Sequence, residues 1–415
     1  MQPRWLTNWF MKQQAGQWLW LLSWGAILLL TNRWISWQAS ITDLSAQDVL
    51  SYAQIAEAAP ALPTIAIGFQ YAQRLISPYV VGTLASLTHW PLPLCFRIIT
   101  YSCLGAIVLV MQHLLQRFRL TPADYRFCLG LLILNPYLLR YYLLVPGMLP
   151  DVVFVLGTAV ILWGLVAVQG TIVVAGLALG AIGRQTALLV IPGLLLWIWK
   201  SAEWQSQSWP ARLRITVAIV LTPSLIYLLT AQLAHQFALP SINTVILTRL
   251  LTWMASPEFS WLLLGDHCLR LVMPMLAIAS LLLGVAVARS TSPLSTQSQT
   301  LAIIACLLMT VGVIAQPFIA GPAITGQNAT RLAALGLLPM ITALALALQH
   351  YHLLTTATPP LRHILLGVGV VIGSLHHLYT TPALPNAASF AAVQITLALL
   401  FATSIRLIRR STRAS

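Results

Sequence analysis

Residues 171–200 read TIVVAGLALGAIGRQTALLVIPGLLLWIWK. Two apolar runs meet at Gly183–Arg184, and the only ionisable groups in the stretch are Arg184 and Lys200. A bilayer core needs about 20 apolar residues from a helix that crosses it squarely. By the boundaries 171–184 and 185–200 each run is shorter than that, so the pattern predicts broken or tilted helices joined at the arginine.

The same texture extends in both directions. The chain has 415 residues, of which 59% are hydrophobic and 7% charged, and a mean hydropathy of +0.84. No soluble domain covers that much apolar surface. Apolar runs set against breakers predict about twelve spans: 18–36, 91–113, 126–145, 151–168, 171–184, 185–200, 213–233, 269–288, 299–320, 331–350, 362–380 and 388–408. The first of them, Trp18 to Trp34, has no convincing small-residue cleavage site after it and reads as a retained span. The expected fold is all-α: one transmembrane domain over residues 1–415, a polytopic helical bundle.

The net charge is +14. The basic residues sit mostly at the ends of apolar runs, where they set topology and meet anionic lipid. No basic stretch carries the interleaved aromatics that track a nucleic-acid backbone, so nucleic acid is not an expected partner. The five cysteines, Cys95, Cys103, Cys128, Cys268 and Cys306, show no CxxC spacing and read as small buried hydrophobes. There is no Walker A motif, no G-x-G-x-x-G in context and no H-E-x-x-H.

With the N-terminus placed in the cytoplasm, most of the 22 Lys and Arg fall inside. The outer side keeps Arg33, Arg74, Arg97, Arg140, Arg184, Arg249, Arg270 and Arg331. This bias puts both termini in the cytoplasm; the expected location is the plasma (inner) membrane. Of the eight acids only Asp124 and Glu203 fall inside; Asp43, Asp48, Glu57, Asp151, Glu258 and Asp266 fall outside. Two outer loops are large, 37–90 and 234–268.

The first outer loop opens with ITDLSAQDVLSYAQIAEAAP, residues 41–60. Ser45 with Asp48 three residues on reads as a capping pair at a helix start. Asp48, Tyr52, Ile55 and Ala59 then share a helical face, and Pro60 and Pro63 end the helix. Residues 69–93 follow with Arg74 and an amphipathic pattern, as expected of helices lying along the membrane surface. Asp48 is either a helix-capping acid or a general base facing a cavity at membrane level.

Three stretches carry a resemblance. They are Asp48-Val-Leu-Ser-Tyr52 with Tyr71-Ala-Gln-Arg74-Leu-Ile-Ser-Pro78, Asn135-Pro136-Tyr137 followed by Pro150-Asp151, and Gly183-Arg184-Gln185-Thr186 running to Pro192. In order and topology these resemble GT-C superfamily integral-membrane glycosyltransferases, with a mannosyltransferase-like pattern, over about residues 18–200 of this chain. The resemblance implies a polyprenyl-phosphate sugar donor, a lipid or glycan acceptor, transfer on the outer face, and a role in glycan biosynthesis at the cell envelope. It places the catalytic carboxylate at Asp48, with Asp43 as the alternate. The C-terminal half matches only in hydropathy, with Arg331 at the start of a late span.

Arg184 at membrane depth has three readings: snorkelling to the interface, a pair with Asp151 across a short hairpin, or a clamp on a lipid phosphate. Arg74 and Arg331 share the last role. Tyr52, Asp151, Gln185, Asp266 and His267 are candidate substrate contacts. In the second large loop, Glu258, Asp266 and His267 read as a solvated loop, an acceptor groove or a metal site. No set of residues shows metal-ligand spacing; a divalent metal (Mg or Mn) at the carboxylates remains compatible with the loop. Two non-enzymatic alternatives stand: a membrane scaffold that has lost activity, and a transporter or flippase of lipid-linked substrates. The absence of an internal repeat and the position of the charges at the outer surface weigh against the latter.

Overall fold

The computed structural model describes residues 47–118, 120–239, 246–257, 259–275, 278, 279, 282, 297–321, 325, 328–351 and 396. Asp43, Ser45, Glu258, the spans at 18–36 and 362–380, all of 388–408 but residue 396, and half of 269–288 lie outside the described residues. The described chain is helical; a single parallel bridge joins Ile67 to Ala238.

The first large loop forms α1 (Gln47–Ala58), α2 (Phe69–Ala72) and α3 (Ile76–Thr88). In α1 the expected face is buried: Tyr52 and Ile55 have no exposure at all. Asp48 lies in its first turn, where a carboxylate favours the positive end of the helix. Gly82 of α3 packs on the α1 backbone so closely that an added Cβ would stand 1.9 Å from the Ala56 carbonyl oxygen. Only glycine fits there, and that contact docks α1 on α3.

Five helices among the described residues are long and apolar enough to cross a membrane: Leu92–Arg117, Asp124–Leu144, Pro146–Ala167, Trp209–Ala234 and Gln299–Ala320. They correspond to the spans expected at 91–113, 126–145, 151–168, 213–233 and 299–320. The chain is a polytopic helical membrane protein to that extent.

The first of these is α4 (Leu92–Arg117). The second is composite: α5 (Pro122–Leu134), a π-turn over Pro136–Arg140, and α6 (Tyr141–Leu144). Thr121 caps α5 by accepting from the Asp124 amide, and its hydroxyl donates to the Asp124 carboxylate at 2.5 Å, so Asp124 serves the start of this helix. A 3-10 turn (Pro146–Met148) leads into α7 (Leu149–Ala167).

The opening stretch folds as expected of two short runs. α8 (Gly170–Gly183), at 1.5 Å per residue, is about 21 Å long and falls short of a hydrocarbon core of about 30 Å. Arg184 then turns extended, a 3-10 turn covers Gln185–Val190, and α9 (Ile191–Lys200) completes the pair.

The short α10 (Ala202–Gln205) leads to α11 (Trp209–Ala234), whose leucines at 221, 225, 228 and 229 are exposed. The second large loop holds α12 (Ile246–Met254) and α13 (Trp261–Val272). Next come α14 (Gln297–Ala320), α15 (Ala329–Ala334) and α16 (Leu337–Tyr351). The span expected over 331–350 is thus two helices. α16 is buried all round, with Leu337, Leu338, Ile341 and Leu344 fully covered, as befits a helix inside a bundle.

Candidate functional site

The site grows from the first turn of α1. Asp48 accepts a hydrogen bond from the Tyr71 hydroxyl at 2.6 Å. Its other oxygen accepts from Arg331 Nη2 at 2.9 Å. Tyr71 stands edge-on to Tyr52, with ring centroids 5.8 Å apart. Tyr52, one turn beyond Asp48 on the same face, accepts from Arg74 Nη1 at 2.9 Å. Two tyrosines and an arginine of the first loop therefore frame one carboxylate.

Asp151, in the first turn of α7, is the second carboxylate. It has no exposure, and Arg184 Nη1 bonds its Oδ1. Its Oδ2 accepts from Arg331 Nη1 at 3.2 Å and from the Tyr142 hydroxyl at 3.3 Å. The hairpin between α7 and α8 explains the Arg184 pairing. A Cβ on Gly183 would lie 2.5 Å from the Pro150 carbonyl oxygen and from the Phe154 amide nitrogen. Glycine lets the end of α8 press against the start of α7, and the next residue, Arg184, reaches Asp151. Of its three readings, Arg184 takes the pair with Asp151; what else it binds is a separate matter.

Arg331 joins the two carboxylates. It projects from α15, whose small residues Ala329, Ala333 and Ala334 are fully buried and let the helix come close. Its guanidinium lies 5.5 Å from the centre of the Tyr141 ring, a cation–π distance.

Arg74 differs from the other two arginines. It is 8% exposed and forms no ion pair within 4 Å among the described residues. Its charged form is nevertheless held above the usual arginine range: burial opposes the charge, and Tyr52 and Asp151 outweigh it. Burial pushes the Tyr52 hydroxyl up. Burial, followed by the bond to Asp48, pushes Tyr71 up to about 12, so Tyr71 is a neutral donor at pH 7.

The described cluster holds three guanidiniums, Arg74, Arg184 and Arg331, against two carboxylates, Asp48 and Asp151. The Nε atoms of all three arginines are buried without a hydrogen-bond partner among the described residues. Buried charge is costly unless balanced, and buried donors cost more when unpaired. The imbalance suits an anion. It does not suit a resident divalent cation, because Arg331 already stands between the two carboxylates as their counter-ion. Among the described residues no group of three or more His, Cys, Asp or Glu gathers to hold a metal.

The remaining candidates sit outside this network. Gln185 opens the 3-10 turn beside Arg184 and is half-buried. Asp266 pairs with Arg270 one turn along α13, at 2.6 Å. His267 is buried, with Nε2 3.2 Å from the Pro317 carbonyl oxygen; a carbonyl only accepts, so Nε2 carries the proton. The Asp266 pair lies within α13 and the His267 bond ties α13 to α14; neither reaches Asp48 or Asp151.

Sequence reasoning gave no role to Tyr71, Tyr141 or Tyr142. Tyr71 lies three residues before Arg74, and that spacing is the signal that could have found it. Tyr141 and Tyr142 offered no such signal. In comparison with known proteins, no family model, no curated protein and no solved structure matches this chain.

Proposed function

We propose that this chain is a membrane glycosyltransferase of GT-C type. It transfers a sugar from a polyprenyl-phosphate-linked donor to a lipid or glycan acceptor on the outer face of the plasma membrane, with both termini cytoplasmic. The observation that carries the reading is the contrast within the cluster. Asp48 is 22% exposed and Asp151 is sealed, while three buried arginines surround them with an excess of positive charge.

The chemistry assigns each group a task. An acceptor hydroxyl attacks the anomeric carbon of the sugar. A new carbon–oxygen bond forms there as the bond to the phosphate oxygen breaks, and its electron pair leaves with the lipid phosphate. Asp48 receives the acceptor's proton, being the carboxylate of the pair that solvent reaches. Charge gathers on the leaving phosphate, where preorganised guanidiniums stabilise it electrostatically. Arg74, free of a carboxylate partner, is first in line to meet the phosphate, and Arg331 shares it. Arg184 stays with Asp151 and holds the floor of the site. Tyr52 fixes Arg74, and Tyr71 fixes Asp48.

Binding tests this directly. Protein in nanodiscs is titrated with a short-chain polyprenyl phosphate beside Arg74→Gln. A hydrogen bond to a charged group is worth about 1.5–3 kcal/mol, so the variant is expected to bind roughly 10- to 100-fold more weakly. Equal binding by Arg74→Gln and wild type, or no binding by either, would remove the phosphate from this site.

A further inference from the structure

The second large outer loop is built as a membrane-seated element. α13 carries Leu262, at 85% the most exposed large apolar side chain among the described residues, next to Trp261 at 74%. The helix turns by about 100° per residue, which sorts its side chains into three sectors. His267 and Leu271 point to the protein and are buried. Trp261, Leu262, Leu269 and Val272 form an apolar sector on the open side. Asp266 and Arg270, paired at 2.6 Å, form a charged edge beside it. A helix with one sector in protein, one apolar and one charged is suited to a bilayer interface, where the apolar sector enters the acyl boundary and the charges stay among headgroups.

Two further observations fix the occupant. First, α13 docks at the end of an exposed apolar stripe on a membrane-crossing helix. The exposed stripe of α14, with Ile304, Leu308 and Val311, ends at Phe318, and Phe318 stacks on His267 of α13 at 6.4 Å. The middle of α13 therefore packs, by its buried sector, where the exposed side of a membrane-crossing helix ends. Second, an aromatic ladder ties the loop together: Trp253 to Phe259 at 5.2 Å, then Phe259 to Trp261 at 5.0 Å. Trp belongs to the headgroup level of a bilayer.

We infer that α13, anchored at its start by the aromatic ladder, lies in the lipid leaflet on the Arg331 side, with Trp261 and Leu262 against phospholipid acyl chains. The opposite sector of the helix packs Leu271 against Ala329 and Ala333 of α15, the two residues that flank Arg331 by two positions on either side. The leaflet thus supports the helix that carries the site's bridging arginine. This seating does not depend on the glycosyltransferase reading and stands or falls separately from it.

The test uses the unmodified protein in nanodiscs whose phospholipids carry a photoactivatable diazirine near the middle of one acyl chain. Insertion sites are mapped by mass spectrometry, and a parallel sample receives a water-soluble diazirine. Leu228 of α11 and Val311 of α14, both exposed on membrane-crossing helices, serve as lipid-facing references. The expected result is lipid-probe insertion at 261–263 comparable to that at Leu228 and Val311, with little insertion from water. Labelling of 261–263 by the water-soluble probe alone would overturn the inference. So would protection from both probes, which would show the sector covered by protein instead.

Discussion

Arg331 holds Asp48 and Asp151 at once, with Nη2 2.9 Å from the first and Nη1 3.2 Å from the second, across 283 and 180 positions of sequence. This one side chain fastens the first large loop to the start of α7 and both to a late helix. Its planar fork suits two carboxylates in a way that an ammonium does not. Arg331→Lys is expected to keep one contact and lose the bridge. Arg331→Ala leaves Asp48 and Asp151 sharing too little positive charge, and removing one partner of a buried ion pair costs about 3–5 kcal/mol. Thermal unfolding in nanodiscs should rank wild type above Arg331→Lys and Arg331→Ala lowest. Equal midpoints for all three would show that the bridge does not form.

The two aspartates are expected to fail differently. Asp151 is sealed and holds Arg184, Arg331 and Tyr142. Asp151→Asn removes the charge on which two buried guanidiniums depend, so its main effect should be on stability, about 3 kcal/mol. Asp48 is partly exposed and ends the network, so Asp48→Asn should cost less stability and more function. Paired unfolding curves check the first half of this contrast; a larger loss of stability in Asp48→Asn would reverse the assignment.

Tyr71 gives the site a pH signature. Its folded hydroxyl titrates at about 12, above the ordinary 10.0, because of burial and the bond to Asp48. A group whose folded value is raised adds stability that is fully present below the unfolded value and is lost as pH climbs through the folded one. The protein should therefore weaken between about pH 10 and pH 12, and Tyr71→Phe should weaken less steeply over that window. The comparison of the two slopes isolates Tyr71 from the other tyrosines, and parallel slopes would contradict the contact.

Gly82 tests how the loop is docked. Gly82→Ala brings a methyl group to 1.9 Å from the Ala56 carbonyl oxygen, so α1 and α3 must separate. Overpacking of this kind costs about 1–3 kcal/mol. The variant should also loosen Asp48, seen as faster amide hydrogen exchange in residues 47–58 than in the spans. Unchanged exchange there would mean that the two helices are not in contact.

Local patterns in this sequence were readable where a local rule governs them. The face of α1 at Asp48, Tyr52 and Ile55 follows from helical period, and the short runs at 171–200 follow from counting apolar residues against bilayer thickness. The ends of the span at 91–113 lie within a few residues of Leu92–Arg117. The pairing of Arg184 with Asp151 was open as one of three readings because a hairpin of two helices brings their ends together. The Arg331 bridge was not readable, since no periodicity relates residues so far apart. The break in the 331–350 span was hidden too, as Leu335 and Gly336 interrupt the helix within an otherwise continuous apolar run. The loop at 234–268 looked solvated by its polar residues, and only burial separates the sector of α13 that packs on protein from the one left open.

The central claim is that Asp48 is the base of a sugar transfer, and sugar transfer itself is the measurement. Purified protein in lipid is offered a panel of polyprenyl-phosphate sugars with lipid and glycan acceptors, wild type beside Asp48→Asn, each checked for folding. General-base catalysis is worth about 10²- to 10⁴-fold, so turnover by wild type with a loss of at least about 100-fold in Asp48→Asn is the expected result. Turnover that survives Asp48→Asn and disappears in Asp43→Asn would contradict the assignment and move the base five positions toward the N-terminus.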